Sequence, residues 1–218
     1  MFHIRPHQVF NMVKSEDRKF IALLPTDQTA LSTLEVSILM ALFKAIKPQR
    51  IFEFGTYLGE TTLTWAYNIE GKDSKIFTLD LPSMQGVEFQ GRDETCARVG
   101  TSNRRVFENT DQAKKVISIL EDSLYFNPEQ YTDSMQYIFI DANHMVAYAS
   151  NDTNNAMIML DKKLPSCIIW HDYGNQEHPE LTQYLDELSA KYDIYHVQET
   201  MLAFYLNKCD IAPSVIHK

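Results

Sequence analysis

Five short apolar segments, each followed by polar residues, constrain the fold of this chain most strongly. They occupy residues 50–54, 75–79, 115–120, 135–140 and 166–170, with the sequences RIFEF, KIFTL, KVISIL, MQYIFI and SCIIW. Segments with helical spacing separate most of them, at residues 31–46, 60–68, 152–164 and 180–191. Because strands that alternate with helices form right-handed βαβ units, the pattern predicts a parallel sheet with helices on both faces.

Two further segments near the end of the sequence, 193–197 and 201–206, predict strands joined by a two-residue turn at Glu199-Thr200. We therefore predict an α/β fold with a Rossmann-like, doubly wound sheet of seven strands, mostly parallel, with an antiparallel strand in the C-terminal hairpin. Residues 1–34 are expected to form an N-terminal helical extension that acts as a lid or a dimer contact. Residues 35–218 are expected to form the main domain.

Charge and cysteine content exclude several classes of function. The 218-residue chain has a formal net charge of −9, which argues against binding to nucleic acid or to anionic membranes, since both need a cationic surface. The three cysteines are far apart and form no CxxC pair, so a disulfide scaffold or a zinc finger is not expected. The longest apolar stretch, residues 38–43, is too short to span a bilayer. We expect a cytoplasmic protein.

Polar residues stand at the carboxyl end of every central strand. In open parallel sheets, ligands bind at these ends, where the strand order reverses. Five polar ends that converge on one crevice are hard to explain as surface alone, so they predict a binding site. The polar segment 83–109 is too long for a simple connection and is expected to be a mobile or partly helical functional loop. The end residues are Glu53 with Gly55, Asp80, Asp122, Asp141, and His171 with Asp172.

The turn from Glu53 to Gly59 and the acid Asp80 together favour an adenosine-containing ligand. Gly55 permits a tight turn and Gly59 permits a close approach to the backbone, although a plain strand-to-helix turn could need both glycines. Asp80 ends the next strand, where an acid can accept both hydroxyls of a ribose, unless it is a loop acid or a helix cap. The same pair would fit NAD. A carboxylate at Glu53, however, repels phosphate and suits an ammonium group.

The order of these motifs resembles the class I S-adenosylmethionine (SAM)-dependent methyltransferases, in particular the small-molecule O-methyltransferase-like branch called methyltransferase 24. The resemblance covers roughly residues 35–207 and is more specific for the superfamily than for the substrate. The matching motifs are EFGTYLG at 53–59, TLDLP at 78–82, LEDS at 120–123, FIDANH at 139–144 and WHDYG at 170–174.

The resemblance implies roles for the matching positions. The methionine part of SAM is expected against the turn and the residues near it: Glu53, Gly55, Thr56, Tyr57, Gly59 and Thr61. Asp80 is expected to bind the ribose, Leu81 the adenine face, and Asp122 and Ser123 the adenine edge, while Asp141 and Ala142 complete the cofactor site. Two departures stand out: Ala142 replaces a frequent glycine, which narrows the space near the sulfonium, and Leu164-Pro165-Ser166 replaces a Pro-Gly-Gly turn.

Neighbouring strand ends also predict a metal site. The fourth and fifth strands are expected to lie side by side, about 4.8 Å apart. Asp141, His171 and Asp172 could then share Mg²⁺ or Mn²⁺, the cations that suit carboxylates best. His171 stands where some relatives have an acid, and the alternative is a hydrogen-bonded His171–Asp172 pair with Asp141 capping a turn.

His144 is the candidate general base, because an imidazole titrates near working pH. Asp141 is the second candidate catalytic residue. The alternative is a loop histidine with a structural role. Tyr148 and Tyr173 are weaker candidates for the acceptor pocket. His178 and His196 are expected to be structural or exposed, and Asp152 is expected to cap a helix.

The predicted function is SAM-dependent O-methylation of a small hydroxylated metabolite, assisted by His144 or by a divalent metal. Two alternatives remain open: a nicotinamide-dependent oxidoreductase, and a SAM-binding protein that has lost catalysis. The expected partners are a small-molecule methyl acceptor and a second copy of the chain in a homodimer, with no nucleic acid and no membrane.

Overall fold

The computed structural model describes residues 1–24 and 31–209. Residues 25–30 of the predicted extension and 210–218 of the predicted main domain lie outside the described residues. The strands are β1 Phe2–Ile4, β2 Arg50–Phe54, β3 Lys75–Asp80, β4 Val116–Leu120, β5 Tyr137–Ile140, β6 Ser166–Trp170, β7 Ile194–Val197 and β8 Ala203–Asn207. The α-helices are α1 Pro6–Phe10, α2 Thr33–Ile46, α3 Glu60–Asn68, α4 Asp93–Ser102, α5 Val146–Met159 and α6 Pro179–Leu188.

The strands form one sheet in the order β1-β7-β8-β6-β5-β2-β3-β4. All neighbouring pairs are parallel except β6–β8 and β7–β8. The α/β, mostly parallel sheet is confirmed, but the prediction of seven strands is wrong, since the described residues form eight. The additional strand is β1, which pairs with β7 through Phe2 and Tyr195, so the first residues of the expected helical extension belong to the sheet.

Several element boundaries differ from the prediction. Helix α5 begins at Val146 rather than at residue 152, so Asp152 lies inside the helix and caps nothing. The hairpin turn is longer than two residues, because the amide of Val197 donates to the carbonyl of Leu202. The polar segment 83–109 contains helix α4, in agreement with a partly helical loop.

Helices cover both faces of the sheet. One apolar cluster joins α1, α2 and α3 to the sheet through residues such as Val9, Ile38 and Trp65. The other joins α5 and α6 to the opposite face through residues such as Ala156 and Leu185. The sheet is therefore doubly wound, as predicted.

Helix α2 begins with a capping box that also reaches another element. Ser32 and Glu35 exchange hydrogen bonds, and the second oxygen of Glu35 accepts from the amide of Met201, 2.9 Å away. Since Glu35 is nearly fully buried, this carboxylate fixes the start of α2 next to the loop between β7 and β8.

Strand β2 is the switch point of the sheet, because β3 lies on one side of it and β5 on the other. Ligands of such sheets bind at this reversal, outside the carboxyl ends of the strands. Among the described residues, no helix is long and apolar enough to cross a membrane.

Candidate active site

A cavity of about 380 Å³ opens at the carboxyl ends of the central strands. Its volume falls within the roughly 300–1,000 Å³ that small-molecule sites occupy. All five strand ends that the sequence singled out contribute to its wall. The contributing residues are Gly55 after β2, Asp80 at the end of β3, Glu121 and Ser123 after β4, Asp141 after β5, and His171 with Asp172 after β6.

The turn after β2 needs a glycine for a steric reason. Gly55 has φ of +90°, and a Cβ atom placed on it would lie 2.1 Å from the carbonyl oxygen of Asp141. The loops that follow β2 and β5 therefore come into direct backbone contact, which only glycine allows. Gly55, Tyr57 and Ala142 all line the cavity, and their contact with SAM stays a prediction.

Glu53 does not line the cavity, contrary to prediction. Its side chain is 1% exposed and accepts hydrogen bonds from the hydroxyls of Thr62 and Thr78, each at 2.5 Å. Burial outweighs these hydrogen bonds and raises the pKa of Glu53 to about 8. The carboxyl is therefore mostly neutral at pH 7, so neither direct pairing with an ammonium group nor repulsion of phosphate follows from it.

Three other predicted cofactor residues also lie away from the cavity wall. The hydroxyl of Thr56 is buried and bonded to that of Thr78 at 2.6 Å. Gly59 lies against the ring of Phe107, since a Cβ atom placed on it would be 2.8 Å from that ring. Thr61 lines a separate small crevice between α2 and α3. The two threonines of this segment, Thr56 and Thr61, therefore do not face the cavity.

Asp80 lies at the cavity wall, where the ribose contact is expected, and Leu81 lines the cavity beside it. One carboxylate oxygen accepts from the amide of Leu81 at 3.0 Å, and the other lies 2.6 Å from Nη2 of Arg105. Burial raises the pKa of Asp80, and the charge of Arg105 opposes that effect. Arg105 therefore favours the ionised carboxylate that ribose hydroxyls need as an acceptor.

The expected adenine-edge residues divide into one at the wall and one behind it. Ser123 lines the cavity. Asp122 does not, since its two oxygens accept from the hydroxyl of Tyr148 at 3.2 Å and from the amide of Leu124 at 3.0 Å. Tyr148 itself lines the cavity, whereas Tyr173 donates to Asp186 at 2.9 Å and is absent from the wall.

Asp141, His171 and Asp172 form a compact group on β5 and β6, which are neighbours as predicted. Each contributes one donor atom, and these atoms lie within 4.8 Å of one another. His171 Nδ1 is 3.3 Å from Asp141 Oδ1 and 3.0 Å from Asp172 Oδ2. Asp172 has φ of +60°, a costly conformation for a residue with a side chain, which is common at functional sites.

The carboxylates of this group remain ionised. Burial favours protonation of Asp141, but the charge of His171 and hydrogen bonds from the two histidines outweigh it and lower the pKa of Asp141 to about 2. The pKa of Asp172 is lowered too, because hydrogen bonds to His144 and His171 outweigh its burial. Nε2 of His171 is buried and lies 3.4 Å from a carboxylate oxygen of Glu35. Two anionic oxygens fit a divalent cation such as Mn²⁺ or Mg²⁺. The surrounding carboxylates hold the pKa of His171 well above its usual value, so His171 can become a third ligand only when it loses its proton.

His144 lies between carboxylates. Its Nδ1 is 2.9 Å from Asp93 Oδ1 and its Nε2 is 2.9 Å from Asp172 Oδ2. Burial disfavours the charged ring, yet hydrogen bonds with Asp141, Asp172 and Asp93 hold the pKa of His144 well above its usual value. In this arrangement His144 carries a proton at neutral pH, so the expectation of an ordinary imidazole pKa is wrong.

Sequence reasoning did not assign several of the residues around this cluster to the site. His178 is 3% exposed, and its ring stacks on that of His144 with centroids 4.4 Å apart. Asp93 begins α4, and Glu35 lies 3.4 Å from Nε2 of His171. Asp93 and Glu35 stand more than ten residues from any of the motifs, so no local spacing could have indicated their place. His178 follows the last motif by four residues, but nothing in the sequence shows that its ring meets that of His144.

No protein-family model and no curated protein matches the sequence. Solved structures are similar in fold. An O-methyltransferase from Bacillus cereus in complex with SAH has a TM-score of 0.58 at 16% identity, covering 83% of this chain and 82% of that chain. An SAH-bound methyltransferase of Podospora anserina has a TM-score of 0.56 at 17% identity, covering 94% and 88%.

A third similar structure is the O-methyltransferase TomG from Streptomyces achromogenes in complex with SAM, with a TM-score of 0.54 at 16% identity, covering 81% of this chain and 80% of that chain. The chain therefore has the fold of the class I SAM-dependent methyltransferases. The wall of its cavity carries a buried cluster of carboxylates and histidines.

Proposed function

We propose that this protein is a SAM-dependent methyltransferase that methylates a hydroxyl group of a small molecule. The observation that carries the proposal is the convergence of Asp80, the Gly55 turn and the Asp141–His144–Asp172 cluster on one cavity. Asp80 offers the acceptor that a ribose needs, and the cluster offers groups that can manage the proton of a hydroxyl. The fold shared with solved SAM and SAH complexes supports the same interpretation.

On this proposal, the cavity wall positions both reactants. SAM supplies the methyl group from its sulfonium. Asp80 binds the ribose hydroxyls, Leu81 packs against the adenine, and the backbone around Gly55 contacts the methionine part. Alignment at near-contact distance is the main contribution that a protein can make to such a transfer. The buried walls also exclude water, which lowers the solvation of a charge that disappears as the methyl group leaves.

The acceptor hydroxyl must lose its proton, and His144 is the proposed residue that accepts it. Asp93 orients the ring, because its two oxygens accept from Nδ1 at 2.9 Å and from the His144 amide at 3.0 Å. Nε2 faces Asp172 and Asp141, at 2.9 and 3.6 Å. While both carboxylates are free, they hold a proton on His144. When their charge is offset, the ring can release that proton and act as a base.

Asp141 and Asp172, with His171, are the proposed ligands of a divalent cation. When bound, such an ion supplies a positive charge that lowers the pKa of a nearby hydroxyl. The same two carboxylates raise the pKa of His144. They therefore affect both ways of deprotonating the acceptor, through His144 as a base and through a bound cation.

The donor-binding part of the proposal is tested by calorimetric titration of SAM into protein treated with a chelator, and again with Mg²⁺ present. We expect micromolar binding in at least one condition. Absence of binding in both conditions contradicts the proposal. Activity is then tested with labelled SAM against phenols, catechols and sugars, and the expected product is a methyl ether.

The metal part has its own test, because Mn²⁺ in solution gives an electron paramagnetic resonance signal that is lost on binding. We expect Mn²⁺ to bind to the wild type and much more weakly to Asp141→Asn and Asp172→Asn. Asp133→Asn is the matched control, since this acid is exposed and pairs with Lys162 on the surface. Equal binding by all four proteins contradicts the ligand assignment.

The alternatives predict different results. A nicotinamide-dependent oxidoreductase needs room for a pyrophosphate at the start of α3, where Gly59 instead contacts Phe107. NAD should therefore leave the unfolding temperature unchanged. A SAM-binding protein without catalysis would bind the donor tightly and methylate none of the acceptors.

A further inference from the structure

Strand β4 forms one edge of the sheet, because β3 lies on one side of it and no described strand lies on the other. Its exposed side chains are largely apolar. Ile117 is 40% exposed and Leu120 is 62% exposed, and Tyr125, just after the strand, is 78% exposed. An apolar edge strand with free backbone groups is a template for pairing with another strand.

The backbone groups available at this edge can be identified. The amide of Glu121 donates to the carbonyl of Asp80, so Glu121 points its backbone groups toward β3. Successive residues of a strand point these groups to opposite sides. Val116, Ser118 and Leu120 therefore direct their backbone groups away from β3. The amide of Val116 already donates to the carbonyl of Ala113, so the groups available for pairing are the Val116 carbonyl and both groups of Ser118 and Leu120.

The sequence of this edge is self-complementary when it is read in the antiparallel direction. It is KKVISILED, from residue 114 to residue 122, with Ser118 at its centre. A two-fold axis at Ser118 pairs this residue with itself, Val116 with Leu120, and Ile117 with Ile119 of a second copy. The same axis brings the exposed Lys114, just before the strand, toward Glu121 and Asp122 of the second copy. Lys115 takes no part, because its ammonium group donates to the carbonyls of Ala66 and Ile69.

We propose that β4 is the dimer interface of this protein, at which two copies pair antiparallel and join their sheets into one. Three features of the edge coincide: outward-facing backbone groups at alternate residues, apolar pairs on both faces, and opposite charges at the two ends. Cross-strand apolar pairs and opposite charges each stabilise such pairing. A two-fold arrangement is also the commonest symmetry among homodimers.

The charges at the edge favour a second copy in the antiparallel direction over other partners. A parallel copy would place Lys114 against the same lysine, which is unfavourable. The nucleic-acid and anionic-membrane partners that basic residues can attract are disfavoured by the two acids at the other end and by the net charge of −9. The proposal is independent of the methyltransferase assignment, because it uses no donor or acceptor contact.

The first test is the mass of the full chain in solution, measured by light scattering during size-exclusion chromatography. We expect twice the 25.2 kDa of one chain. Leu120→Arg should convert the dimer to a monomer, since it places like charges on both sides of the axis. Leu164→Arg is the matched control, because Leu164 is 53% exposed but lies far from β4 in the loop before β6. Circular dichroism verifies that both variants fold.

A cysteine at the axis gives a second, independent test. Hydrogen-bonded antiparallel residues have Cα atoms about 5.5 Å apart, within the range that a disulfide bridges. Ser118→Cys should therefore form a covalent dimer rapidly under mild oxidation. Ser102→Cys, at the exposed end of α4, and the wild type with its own cysteines are the controls.

Each outcome decides the proposal. The β4 interface is supported if the wild type is a dimer, Leu120→Arg is a monomer, and Ser118→Cys cross-links fast. A monomeric wild type overturns it. So does a dimer that Leu120→Arg leaves intact while Ser118→Cys cross-links no faster than Ser102→Cys, since the copies then meet elsewhere.

Discussion

Nδ1 of His144 lies 2.9 Å from Oδ1 of Asp93, although 51 positions separate the two residues in the sequence. The second oxygen of Asp93 accepts from the amide of His144 at 3.0 Å. One carboxylate thus fixes both the backbone and the ring of the proposed base. The start of α4, inside the long polar segment, therefore belongs to the site.

Replacing Asp93 by Asn should lower kcat more than it changes the KM for SAM. The amide can still occupy the space, but it holds the ring of His144 less firmly and in a different tautomer. We expect kcat to fall by about tenfold or more, a part of the roughly 10²–10⁴-fold that a general base contributes. Steady-state kinetics with the acceptor found in the screen measures this. A higher KM for the acceptor with an unchanged kcat would assign Asp93 to acceptor contact instead.

Asp80→Asn should weaken SAM binding by about 10- to 100-fold, because hydrogen bonds to a charged group contribute roughly 1.5–3 kcal/mol. Calorimetric titration measures the change. Asp73→Asn is the control, since Asp73 is exposed in the turn before β3. Unchanged affinity in Asp80→Asn removes the ribose assignment.

Gly55→Ala should destabilise the fold more than Gly86→Ala. Both glycines have positive φ, +90° and +80°, so both substitutions carry the cost of about 1–2 kcal/mol of a left-handed residue. Only the Gly55 variant adds a Cβ atom 2.1 Å from the Asp141 carbonyl, whereas Gly86 faces open space. Overpacking adds about 1–3 kcal/mol. Urea unfolding of the two variants measures the difference in the free energy of unfolding. Equal losses of stability would mean that the loops after β2 and β5 move apart at little cost.

Glu53→Gln should flatten the dependence of stability on pH. The pKa of Glu53 is about 8 in the folded protein, against an ordinary 4.5, so folding strengthens proton binding at this group. Its contribution to the free energy of unfolding is complete below pH 4.5 and is lost as the pH rises toward 8. The loss is on the order of a few kcal/mol, since each pKa unit corresponds to about 1.4 kcal/mol.

Unfolding in urea at several pH values measures this effect. The wild type should lose stability relative to Glu53→Gln between pH 5 and pH 8, whereas Glu70→Gln, at an exposed carboxylate, should follow the wild type. Parallel curves for wild type and Glu53→Gln would show that Glu53 is ionised in the folded protein.

The sequence predicted the central part of the fold well. Strands β2 and β6 and helix α3 have the expected bounds, and the five polar strand ends do meet in one cavity. The reason is that local patterns encode these features: apolar runs for buried strands, and polar residues where the strands stop. The parallel order then brings the strand ends together without further information.

What the sequence did not show depends on contacts between distant segments. Residues 2–4 are too few to carry a recognisable strand pattern, and β1 exists only because β7 offers an edge. Glu53 looked like a charged ligand residue, but the two threonines that enclose it come from α3 and β3. Burial, rather than residue type, decided its charge.

The pairing of β1 with β7 sets an order of events for a growing chain. Phe2 meets Tyr195, and Ile4 meets Val197, across almost the whole length of the sequence. While the chain is being synthesised, Ile4, which ends fully buried, has no strand partner until residues 194–197 have emerged. Contacts between such distant residues form slowly. The first residues are therefore expected to be the last to join the sheet, and for that interval they are the part of the molecule that a chaperone can hold.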